Sequence, residues 1–162
     1  MGNMQMTAEP GKQEIFTTYE LNAPRELVFK VMTDPSLVGE WWGPASLTTV
    51  VEKMDVRPGG QWRVIQHDPA GTEYAFHGVF HSLKFPETYI YTFEWEAMPD
   101  HVLLEIYRLE ALGSKTRVIE HTLFQSVADR DGMLATGMEA GAVEMVKRLE
   151  KLLARVGAAE KS

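Results

Sequence analysis

From residue 47 to residue 126 the chain is a succession of β-branched and aromatic runs separated by short turns. The runs are LTTVVEKMDV (47–56), QWRVIQHD (61–68), TEYAFHGVFHSLK (72–84), TYIYTFEWEA (88–97), HVLLEIYRLEAL (101–112) and TRVIEHTLFQS (116–126). Five of them follow at hairpin distance, which predicts an antiparallel meander. The period then changes. GMLATGMEAGAVEMVKRLEKLLARV has apolar residues at Leu134, Met138, Ala142, Met145, Leu149, Leu152 and Val156. That spacing predicts an amphipathic helix of about 25 residues, continuous through Gly137 and Gly141. A sheet of this size must bury one face, and only that helix is large enough to cover it.

The first third completes the pattern. EIFTTYEL (14–21) reads as a strand, and NAPRELVFKVMTD (22–34) switches to helical spacing at Leu27, Val28, Val31 and Met32. Asp34-Pro35 opens a second short helix over SLVGEWW, and Gly43-Pro44 ends it. The expected fold is α+β. A curved antiparallel sheet of six to seven strands wraps a long C-terminal helix, and two short helices after the first strand plug one end.

The 162 residues suit one domain, expected over 13–157, with a mobile tail at 1–12 and a short one at 158–162. Residues 1–12 hold no apolar signal-peptide core, and no run approaches the ~18–20 apolar residues of a membrane span. A cytoplasmic protein is expected. The absence of cysteine removes disulfides, thiolate metal sites and a cysteine nucleophile. A net charge of −7 argues against nucleic acid as a partner.

Several stretches resemble one family: NAPRELVFKVMTDPSLVGEWWGP, MDVRPGGQWRV, GTEYAFHGVFHSL and GMEAGAVEMVKRLEKLL. Together they are similar to the activator-homologue family of the heat-shock chaperone ATPase, over roughly residues 14–155. That family belongs to the START and birch-allergen-like superfamily, the helix-grip fold. The resemblance implies a deep cavity between sheet and helix. Superfamily members bind lipids, hormones or polyketides there, and a few catalyse cyclisation or hydrolysis. The eukaryotic co-chaperone has two domains and this chain reads as one, which argues against chaperone activation. Where many members carry Gly-Trp near the start of the last helix, this sequence has Gly137-Met138. The slimmer methionine either widens the cavity or repacks it.

The leading expectation is a binding protein for a small apolar or aromatic molecule, with no cofactor. Tyr89, Tyr91, Phe93 and Trp95 alternate and so share one sheet face. If that face is concave, rings line the cavity. The candidate ligand-binding residues are Trp41, Trp42, Trp62, Phe76, Tyr91, Phe93, Leu134, Met138 and Met145. Trp41 and Trp42 are expected to close one end of the barrel, one ring inward and one at the rim. An enzyme of the cyclase, aromatase or hydrolase kind is the alternative, and it needs a polar pair inside the cavity. No catalytic residue is assigned. Glu94, Glu120, His77 and His121 reach the cavity only if the facing is reversed. A third class is protein interaction, chaperone-linked or as a homodimer, which calls for an exposed apolar patch.

No metal site is expected. His77 and His81 lie four apart on a strand, about 13 Å from each other. The D-x-R-x-G-G stretch at 55–60 reads as a turn held by Asp55 or Arg57, since a strand follows it where a phosphate cradle needs a helix.

Overall fold

The structure, a computed structural model, describes residues 4–161. Its elements run β1 (Gln5–Thr7), β2 (Glu14–Leu21), α1 (Arg25–Met32), α2 (Val38–Trp41), β3 (Thr48–Met54), β4 (Gln61–His67), β5 (Glu73–Lys84), β6 (Thr88–Trp95), β7 (Val102–Leu112), β8 (Lys115–Leu123), α3 (Val127–Ala135) and α4 (Met138–Lys161). The strands form one antiparallel sheet in the order β1-β2-β8-β7-β6-β5-β4-β3. β3 to β8 are the expected meander, and β2 returns to pair with β8.

Three expectations about extent are corrected. The sheet has eight strands among the described residues, because Gln5–Thr7, read as part of a mobile tail, pairs with Phe16–Thr18 of β2. The single C-terminal helix is two. Gly137 takes φ +79°, a left-handed conformation that ends α3 before α4 begins. α4 also continues through residues 158–161, read as a tail.

The core lies between the concave face and α4. β7 shows the alternation most cleanly: Leu103, Glu105, Tyr107 and Leu109 are buried, and the residues between them are less so. From α4, Val146, Leu149, Leu152 and Leu153 pack inward, joined by Leu27, Val28, Phe29, Val31 and Met32 of α1. Ser126 caps α3, its Oγ accepting from the Asp129 N–H at 3.0 Å.

The short helix α2 and the loop after it are bound to α4. The Arg148 guanidinium donates to the Gly43 carbonyl at 2.6 Å, the Ala45 N–H donates to Glu144 Oε1 at 2.6 Å, and Arg155 pairs with Glu40 at 2.5 Å. Gly43 has φ +82°, a conformation that strains any residue with a Cβ, and a Cβ there would also have to displace the Gln66 amide, 1.8 Å away. The 55–60 turn matches its reading: Arg57 Nε meets Asp55 Oδ2 at 2.7 Å, and the Gly59 N–H donates to the Phe80 carbonyl at 2.8 Å.

Candidate functional site

Tyr91, Phe93 and Phe76 face the concave side, and α4 does not fill the space above them. An inner chamber of about 260 Å³ remains between sheet and helix. Trp41 and Trp42 wall one end, and Met138, Met145 and Val146 of α4 form the roof. An outer chamber of about 660 Å³ adjoins it, reaching past Trp95, Met98 and His101 to α3. Gln66, Phe76, Phe93, Leu103, Phe124 and Met133 line both chambers, so the two are contiguous.

The paired tryptophans divide their roles. Trp41 is buried in the main core. Trp42 is half-buried and sets its ring edge-on to Phe76 at 5.4 Å, tilted toward Phe93 at 6.3 Å. It stands over the ring cluster like a stopper.

The chamber wall also carries acids. In the β7–β8 register Tyr107 lies opposite Glu120 and Glu105 opposite Thr122, so the two glutamates are diagonal neighbours on the inner face. Thr122 donates to Glu105 Oε2 at 3.0 Å, and the Tyr107 hydroxyl donates to Glu120 Oε2. Glu120 keeps some accessible surface although it lies deep in the molecule, and it lines the chamber. Burial pushes both carboxyls above the usual carboxylate range, and the charge of Glu120 pushes Glu105 further. Burial likewise raises Tyr19, Tyr91 and Tyr107. Among the described residues, no lysine, arginine or histidine lines the inner chamber. Burial therefore disfavours the charged forms, and the pair can donate or accept a hydrogen bond inside an aromatic wall.

Of the nine candidate residues, Trp41, Trp42, Phe76, Tyr91, Phe93, Met138 and Met145 line the inner chamber. Trp62 does not. It borders a small pocket of about 40 Å³ behind Trp41, Trp42 and Tyr91, and donates its Nε1–H to the Thr92 carbonyl at 3.1 Å. Leu134 lines neither chamber and packs instead with Ile15, Leu103 and Phe124; it belongs to α3, which ends before Gly137, and not to the chamber-roofing α4. Glu120 needs no reversed facing, since it shares the inner face with Tyr91. His77, Glu94 and His121 belong to the outer face. His77 sits between Glu94 at 3.0 Å and Glu96 at 2.8 Å. His121 stacks on Phe16 at 4.1 Å and meets Glu14 at 2.6 Å. Glu105, Tyr19, Tyr107 and Thr122 are chamber residues absent from the sequence-based set. In the sequence, alternation groups Glu105 with Leu103, Tyr107 and Leu109 on one face of β7 but does not say that this face is the inner one.

A curved antiparallel sheet gripping a C-terminal helix over an internal chamber defines a helix-grip protein. The chain belongs to the family described as Activator of Hsp90 ATPase homolog 1-like protein, whose model matches residues 22–154. No curated protein matches the sequence. Among solved structures, a protein from Arthrobacter aurescens is similar at 22% identity with a TM-score of 0.86, covering 93% of this chain and 91% of its own. A Rhodobacter sphaeroides protein is similar at 19% identity with a TM-score of 0.86, covering 95% and 99%. DynU16, from the dynemicin biosynthetic locus, is similar at 16% identity with a TM-score of 0.66, covering 88% of this chain and 48% of its own. At these identities the likeness concerns the fold. No helix among the described residues is long and apolar enough to cross a membrane.

Proposed function

We propose that this protein binds a small, largely apolar molecule with aromatic character in the two-chambered cavity. The observation that carries the reading is the ring-lined wall of Trp42, Phe76, Tyr91 and Phe93, left open beneath α4. Protein interiors ordinarily close such space to near crystal density. A cavity kept open by rings, with a few polar groups at one end, is the usual form of a small-molecule site. Trp42 is the group best placed to sense occupancy.

Tryptophan fluorescence titration with a panel of apolar and aromatic molecules tests the reading. Saturable quenching is expected, and Trp42→Ala should weaken the tightest binder by about tenfold or more, a loss of about 1.4 kcal/mol. Flat titrations across the panel would remove the carrier reading.

A second reading is favoured by one specific feature, the Glu105–Glu120 pair with Tyr107. A carboxyl kept protonated beside a bound molecule is a general acid, and its partner a general base. Turnover of a bound molecule that is lost in Glu120→Gln, with binding retained, would support the enzyme over the carrier.

A further inference from the structure

The polar groups on the two sides of the inner chamber differ in what they leave unpaired. On the strand side the acid pair is satisfied within the wall. Thr122 donates to Glu105, and Tyr107 donates to Glu120. On the helical side stands Trp41, the last residue of α2, which borders the chamber with only 5% of its surface exposed. Its Nε1–H is buried and has no hydrogen-bond partner among the described residues. Arg25 Nε is also buried without a partner, but Arg25 does not line the chamber.

An indole N–H donates and cannot accept, and unlike a hydroxyl it cannot turn to suit its neighbours. A buried donor left unpaired costs the desolvation of the group, and an arriving acceptor offsets that cost. Trp41 is also fixed in advance. The loop after it is tied to α4 by the Arg148 bond to the Gly43 carbonyl and the Ala45 bond to Glu144, both at 2.6 Å. A donor already in place costs a ligand little ordering. The N–H is covered, but the chamber roof includes Met138 and Met145, unbranched side chains that shift readily, so an entering molecule can uncover it.

We propose that the inner chamber selects a neutral, largely apolar molecule carrying a carbonyl or ether oxygen, which accepts the Trp41 Nε1–H while the apolar body lies along Phe76 and Phe93. This rests on the reading of the cavity as a ligand site. A hydrocarbon would fill the space and leave the donor unpaired. An ammonium has donors only and leaves it unpaired as well. A carboxylate accepts, but its charge would be buried where no lysine, arginine or histidine among the described residues lines the wall.

The small pocket of about 40 Å³ on which Trp41 also borders sets the competing account. It has room for one water and not for a ligand of this kind. A water there would accept the same N–H, and the oxygen of a bound molecule would then gain nothing from Trp41.

The test is calorimetric titration of the intact protein with four molecules that share a two-ring body: 2-acetylnaphthalene, 2-ethylnaphthalene, 2-naphthoate and 1-(2-naphthyl)ethylamine. The ketone and the hydrocarbon differ in water as well as in the site, so the ratio of their affinities is compared between parent and Trp41→Phe, which keeps an aromatic ring and removes the N–H. That ratio should fall about tenfold in the variant, the size of one hydrogen bond. The indole N–H resonance of Trp41 in the parent gives a second readout, which serves where the variant fails to fold. It should lie further downfield in the ketone complex than in the hydrocarbon complex. An unchanged ratio, equal N–H positions in the two complexes, or either ion binding tighter than the ketone would overturn the acceptor inference while the ligand site stands. If none of the four binds although other panel molecules quench Trp42, the acceptor inference falls alone. If the whole panel is also flat, both readings fall.

Discussion

Two carboxylate clusters lie on opposite faces of one sheet, and they behave in opposite ways. On the outer face, Glu96 takes two bonds from Arg63, at 2.8 and 2.9 Å, and a third contact from His77. Those partners hold its carboxyl down to about 2. On the inner face, Glu105 and Glu120 have hydroxyl partners and no cation among the described residues, and burial drives them up. The residue type is the same, and the strands involved are neighbours. The face decides whether the acid is a settled structural charge or a carboxyl that burial keeps from ionising.

The comparison is sharpened by the pH dependence of stability, which should run in opposite directions. Glu105 has a folded-state pKa above its unfolded value, so its stabilising effect is complete below about pH 4.5 and is lost as pH rises through the raised range. Glu105→Gln should therefore leave stability unchanged near pH 4.5 and raise it by about 1–3 kcal/mol near pH 8, read by urea unfolding. Equal stability of variant and parent at both pH values would break the contrast.

Glu96 predicts the reverse at smaller size. Its folded-state pKa is depressed, so its contribution is present above about pH 4.5 and lost as pH falls through about 2. Glu96→Gln should cost about 0.5–1 kcal/mol near neutral pH, discounted for solvent around the pair, and the difference should vanish in acid. A variant as stable as its parent at neutral pH would show the outer network to be idle.

Much of this was legible in the sequence. Strict alternation over Tyr89, Tyr91, Phe93 and Trp95 placed the aromatic face, because a strand has only two sides. β7 was harder. Leu104 and Ile106 make its outer side as apolar as its inner, so the phase that brings Glu105 inside is not distinguished by hydrophobicity. β1 has three residues, too few for a period to show. The helix break was hidden because apolar spacing continues across Gly137, although Thr136-Gly137 has the form of a helix end. That continuity made Leu134 look like a cavity residue. The carboxyl pair depends on register between β7 and β8, a long-range fact that local pattern does not carry.

The most direct test of the central claim, that the inner chamber is the ligand site, is methyl NMR of the protein labelled at methionine and leucine. The best binder of the panel would be titrated in. Saturable one-to-one shifts at Met138 and Met145, with Leu134 still, are the predicted result. Shifts confined to the outer face, or a spectrum that no ligand moves, would contradict it.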